Sequence, residues 1–231
     1  MDNHNPAAIV NGIITIGIPA ILAITLHEAA HGYAALACGD PTAKEHGRLT
    51  LNPLRHVDPF GTIILPLMLW LSGAHFLFGW AKPVPVNFSR LRHPKRDSVW
   101  VAGAGPAMNI ALAVLAAFAL RFAPNTGSED IGLVPQMLLY GIQINVLLAV
   151  FNMIPIPPLD GGRVAVGILP MAFARPLARL EKYGMVILLA LLIGLPWLGA
   201  LVGLDLDFFT RIVGPIVTRI VQGIGALTGL S

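Results

Sequence analysis

The chain has 231 residues, 55% hydrophobic and 12% charged, with a formal net charge of +3 and a mean hydropathy of +0.74. Soluble domains carry about 25% charged residues, so this composition excludes an ordinary soluble core and reads as an integral membrane protein. The basic residues sit in short loops, which excludes a nucleic-acid-binding tail, and the single Cys38 excludes an intrachain disulfide or a cysteine-built zinc cage.

The opening "MDNHNP" lacks the basic stretch of a cleaved signal peptide, so the first apolar run is expected to stay as a membrane helix. A span needs about 20 mostly apolar residues. Five runs are long enough: Ala7 to Ala37, Val99 to Phe122, Ile131 to Ile156, Tyr183 to Leu204 and Phe208 to Leu230. A sixth stretch, Phe60 to Trp80, is interrupted by Pro66, Ser72, Gly73 and His75. The last run carries Arg211 and Arg219, so it either spans or lies at the interface as an amphipathic helix. No repeat or long linker divides the chain, and residues 1–231 read as one domain. The expected fold is an all-α polytopic membrane protein with about five to six transmembrane helices.

Inside the first run stands "LHEAAHG", Leu26 to Gly32. Positions i and i+4 share one helix face, so His27 and His31 can aim two imidazoles at one ion, with Glu28 beside them. This is the H-E-x-x-H arrangement of zinc metalloproteases, in which the glutamate acts on water. The bland alternative is a pair of histidines hydrogen-bonded within a bundle. Their place in an apolar run weighs against it, because intramembrane ionisable groups are costly and mark function. A third ligand is offered by "FNMIPIPPLDGGR", Phe151 to Arg163. Pro155, Pro157 and Pro158 break the helix there, and irregular backbone at membrane depth must be buried in protein or line a wet cavity. Asp160 then either points into such a cavity or simply starts a surface loop. Asn152 precedes the break.

The two stretches together resemble the site-2 proteases, the intramembrane zinc metalloproteases. Asn152, Pro155, Pro158, Asp160 and Gly161 match the family's N-x-x-P-x-x-P-x-D-G motif. "AGAGPAMN", Ala102 to Asn109, resembles its G-P-x-x-N helix, and "GWAKPVPVN", Gly79 to Asn87, resembles a strand of the compact bacterial and archaeal branch without PDZ or CBS domains. The resemblance implies one zinc ion held by His27, His31 and Asp160, Glu28 as general base, and Asn152 binding substrate backbone. It implies hydrolysis of peptide bonds within or near transmembrane segments of protein substrates, as in regulated intramembrane proteolysis. Against this stand a zinc-binding or transporting membrane protein, which does not need Glu28 as a base, and an inactive scaffold, which does not need the full set. Neither the substrate nor the oligomeric state is specified by the sequence.

For His31 and Asp160 to share an ion, the first span and the one ending near Ile156 must run parallel. That holds if Phe60 to Trp80 dips in and returns as a re-entrant element, bringing Gly79 to Asn87 to the active site as a β-strand. On that topology 12 of the 15 basic residues share one face with the site, which the positive-inside rule places towards the cytoplasm of a bacterial or archaeal cell. Asn109 and Asn145 are open between site roles and helix packing. His56 and Asp58 are expected to form a turn with an internally satisfied aspartate.

Overall fold

The computed structural model describes residues 10–65, 67–68, 79–123 and 132–230. Among the described residues four helices are long and apolar enough to cross a membrane: α1 (Val10–Ala37), α2 (Pro94–Arg121), α3 (Leu133–Asn152) and, after a short helix, α5 (Met171–Val202). The short helix is α4 (Asp160–Ile168). The chain ends in α6 (Gly214–Thr228), preceded by a π turn at Phe209–Val213. This last element is helical as expected, but it is not among the four; Arg211 at its start pairs with Asp205 at 3.0 Å.

The centre is built from small residues. Ala23, Ala35, Ala113, Ala117 and Ala149 are buried, as are Gly105 and Gly141. In a bilayer no hydrophobic force separates helix from lipid, so association depends on close backbone approach, which small side chains allow. Order of contact fixes direction. Pro19 lies against Gly141, Ala23 O and Asn145 both meet Asn109, and His31 meets Val101 O. Going up α1, partners in α2 descend in number and partners in α3 ascend. So α2 is antiparallel to α1, and α3 is parallel to it, the course that an ion shared by His31 and Asp160 would need.

Most of the Phe60 to Trp80 stretch, residues 66 and 69–78, lies outside the described residues. Its ends meet: Trp80 N–H donates to Gly61 O at 3.1 Å and Thr62 Oγ1 donates to Trp80 O at 2.8 Å. The expected strand at 79–87 needs correction. The segment is extended, yet no β-strand forms among the described residues. Pro83 and Pro85 lack the N–H that a ladder uses, and side chains of other segments hold the backbone instead.

Candidate metal centre

His27 and His31 sit on the buried face of α1, one turn apart. Their Nε2 atoms are 3.0 Å from each other, and Asp160 Oδ2 lies 3.1 Å from the first and 3.3 Å from the second. Asp160 arrives there because Pro155, Pro157 and Pro158 end α3 and the chain restarts as α4 at Asp160 itself. Of the two readings of Asp160, the surface loop is corrected: the residue opens a new helix. Glycines let the broken backbone fold back closely. A methyl group on Gly161 would come within 2.2 Å of Met153 O, and one on Gly162 within 2.4 Å of Pro157 N.

The far sides of both rings determine which nitrogen carries hydrogen. His31 Nδ1 is 2.7 Å from Val101 O, a carbonyl that can only accept. His27 Nδ1 is 2.6 Å from Asn109 Oδ1. Asn109 Nδ2 donates to Ala23 O at 3.2 Å and to Asn145 Oδ1 at 2.8 Å, while Asn145 Nδ2 donates to Gly141 O at 2.8 Å. Two backbone carbonyls therefore set the polarity of the whole amide chain, and Asn109 Oδ1 must accept. Both neutral imidazoles carry their proton on Nδ1 and turn an Nε2 lone pair inward.

Two inward lone pairs and one carboxylate oxygen repel each other unless a positive charge lies among them. Asp160 Oδ2 is buried without a hydrogen-bond partner among the described residues. Zinc bound tetrahedrally at about 2.0–2.1 Å would separate its ligand atoms by about 3.3 Å, close to the 3.0–3.3 Å observed. The donor set thus fits a metal ion. Gly105 of α2 keeps the space above the rings: a methyl group there would come within 2.5 Å of His31 Nε2 and 2.6 Å of His27 Nε2.

Glu28 stands apart from this cluster. It is half-buried, and its Oε2 accepts from Val84 N–H at 2.8 Å. Asn152 is also outside the cluster; its amide donates to Leu148 O, one turn back, at 3.0 Å. Asp58 behaves as the turn reading expects, capping the next helical turn by accepting from Phe60 and Gly61 N–H. His56 is buried, with Nε2 bonded to Thr50 O at 2.9 Å.

Sequence reasoning missed the weight of Asn109, Asn145, Gly105 and Asp40. Asn109 is fully buried; an amide in an apolar run and the likeness of "AGAGPAMN" to a G-P-x-x-N helix are the signals that pointed to it. Asp40 has no such signal, because "GDPT" reads as an ordinary turn.

The model of the family described as Peptidase family M50 matches residues 123–195. The chain is 39% identical over 180 residues to the Bacillus subtilis protein named "Putative zinc metalloprotease YwhC", covering 76% of this chain and 78% of that one. It is 30% identical over 192 residues to the Mycolicibacterium smegmatis "Putative zinc metalloprotease Rip2", covering 83% and 71%. This chain belongs to peptidase family M50, the site-2 proteases. A shorter match, 45% over 65 residues, covers 28% of this chain and 31% of the Methanocaldococcus jannaschii "Putative zinc metalloprotease MJ0611". No solved structure matches the chain. As an M50 peptidase with four membrane-length helices, it is a membrane-embedded metalloprotease acting on protein.

Proposed function

We propose that this protease uses one zinc ion per chain to cut peptide bonds within or beside transmembrane segments, in the manner of regulated intramembrane proteolysis. The observation that carries the reading is the pair of inward Nε2 lone pairs facing Asp160. His27, His31 and Asp160 hold the ion; when bound, zinc supplies Lewis-acid polarisation of the scissile carbonyl. Glu28 is the general base: it takes a proton from the attacking water and returns it to the leaving amine. Val84 N–H keeps one carboxylate oxygen occupied and so fixes where the other points. Asn152 ends α3 beside the break, and its amide exchanges Leu148 O for substrate backbone. A cavity of about 780 Å³ between α2, the break and the C-terminal helix, lined by residues such as Pro106, Met153, Ile156 and Ile216, offers apolar room for substrate side chains.

Residues 1–231 act as one protease domain with five to six spans. The stretch between Phe60 and Trp80 turns back within the bilayer. Supporting this are the Gly61 to Trp80 hydrogen bond and the parallel course of α1 and α3. The domain sits in a bacterial or archaeal cell membrane, its site towards the cytoplasm, as the basic loops suggest. Cysteines introduced near Asn52 and Ser89 in a Cys38→Ala background label from the same side of sealed vesicles; labelling from opposite sides would sink this topology.

The test of function is Glu28→Gln in proteoliposomes with a single-span reporter. Zinc stays at one per chain, and cleavage falls by about 10³-fold or more. In the same preparation Asn152→Ala keeps zinc and cleaves more slowly. A Glu28→Gln protein that cleaves normally rules out this chemistry. A transporter or inactive scaffold predicts no cleavage in the wild type either.

A further inference from the structure

Asp40 lies just beyond α1 and has no exposed surface. A buried carboxylate is costly unless its oxygens are hydrogen-bonded. Here Oδ1 accepts from Thr42 N–H at 3.0 Å and from Thr42 Oγ1, and Oδ2 accepts from Asn87 N–H at 2.7 Å. Arg90 Nε stands 4.0 Å away. The Asn87 bond crosses 47 residues of sequence and grips the far end of the extended segment whose Val84 N–H reaches Glu28.

The backbone makes this grip a matter of register. Gly39, at φ +106°, reverses the chain after α1, and Asp40 N–H folds back to Ala35 O at 2.9 Å. Asp40 therefore sits beside the last turn of α1, about 12 Å along the helix from Glu28 at 1.5 Å per residue. Val84 and Asn87 are about 10 Å apart in extended backbone. Two carboxylates joined by one helix thus match two amides of one extended segment. Between them Val84 is buried against Gly32, where a methyl group would come within 3.1 Å of Val84 Cγ1. Upstream, Lys82 N–H donates to His56 O at 2.8 Å and Arg48 Nη2 donates to Lys82 O at 2.9 Å. Pro83 and Pro85 contribute no donors; downstream of Val84 the Asp40 bond holds the backbone, beside the packing of Val86 and Phe88 against Ala35, Leu91 and Val101.

We propose that Asp40 is a positioning residue for hydrolysis: it locks residues 84–87 in register with α1, so that Val84 N–H aims the Glu28 carboxylate. This inference rests on Glu28 being the general base. Asp40 touches neither substrate nor metal and acts through Asn87 and Val84.

The test uses full-length protein in proteoliposomes and a fluorogenic poly-Leu-Ala reporter helix with an Asn-Pro pair at midspan. Asp40→Asn removes one acceptor and lowers kcat about tenfold, with KM within about twofold and zinc unchanged. Val84→Pro deletes the donor to Glu28 and lowers kcat at least as much. The double variant is no slower than Val84→Pro alone, because both changes break one linkage. Amide exchange at residues 82–87 speeds up about tenfold in Asp40→Asn. Additive kcat losses, loss of zinc, or unchanged exchange overturns the proposal. If Asp40→Asn fails to accumulate in membranes, Thr42→Val removes one donor and leaves the carboxylate. It shows a smaller kcat loss and faster exchange, or the proposal falls. A wild type that binds zinc but cleaves nothing refutes the protease reading instead, and exchange still decides whether Asp40 holds the segment.

Discussion

On one face of α1, His27 and His31 meet other helices; beside it, Glu28 meets an extended segment with no secondary structure of its own. The helix side is held by close packing of small residues and by hydrogen bonds whose direction two carbonyls dictate. Shifting either ring there means moving α2 or α3. The extended side is held by side-chain grips on backbone groups: Arg48 on Lys82 O, Glu28 on Val84 N–H, Asp40 on Asn87 N–H. Each grip can be removed singly. Loss of a donor side chain on the helix side should therefore be close to all-or-none, and loss of a grip on the extended side graded.

The largest effect tests the all-or-none side. His31→Ala removes one of three donor atoms and exposes the remaining two to an incomplete site. Zinc falls from one per chain to near none, and reporter cleavage drops by about 10³-fold or more. Elemental analysis of purified protein checks it. Full zinc occupancy in that variant would separate His31 from the metal and dissolve the contrast between the faces.

Asn109→Leu comes next. The branched side-chain shape is kept, but His27 Nδ1–H loses its acceptor, and Asn145 loses the amide it accepts from. Loss of such an orienting partner typically costs about 10–100-fold in metal affinity. Competition with a chelator at fixed pH measures this. An unchanged affinity would mean that packing alone orients His27 and that the amide chain serves only to join α2 and α3.

The same contrast explains what the sequence disclosed. Helix existence followed from apolar runs, and "HEAAH" and "NMIPIPPLDGG" carried the three side chains that meet in the candidate metal centre because i, i+4 spacing and proline breaks are local features. The parallel course of α1 and α3 also followed, since two ligands of one ion must come from one side. The β-strand expectation failed at Pro83 and Pro85: composition suggested an extended chain, but a ladder needs donors and a neighbouring strand. Asp160 was open between a cavity and the start of a surface loop, whereas a new helix starts on it, because boundaries beside three prolines depend on how the glycines repack. Asp40 was invisible for a plain reason. Its partner is a backbone N–H 47 residues away, and backbone amides leave no mark in a sequence. Asn109 was legible as an amide in an apolar run, but whether it bonds a histidine or a neighbouring helix is decided by tertiary contacts.

The smallest effect probes the graded side through pH. Burial works to raise the Asp40 carboxyl, but hydrogen bonds from Thr42 Oγ1, Asn87 N–H and Thr42 N–H, with the nearby Arg90 charge, outweigh it and hold it below its ordinary value. Glu45, which pairs with Arg90 at 2.7 Å, also faces this cluster. A carboxyl whose value is depressed by folding stabilises the folded state above its unfolded value of about 4 and loses that contribution as pH falls through the folded value. The wild type should thus unfold at a higher temperature than Asp40→Asn at pH 7, by about 2–4 °C for each kcal/mol. The two melting curves should converge once pH drops well below about 4. Thermal unfolding of both proteins in the same detergent, from pH 7 to pH 3, reads the difference directly. A gap that stays constant over that range would show that the Asp40 charge contributes nothing to the grip on Asn87. A gap that widens with acid would reverse the sign and place the stabilising form as the protonated one. Arg90→Gln separates the two anionic neighbours: it removes the Glu45 pair while leaving the Thr42 and Asn87 donors to Asp40, so most of the convergence survives it.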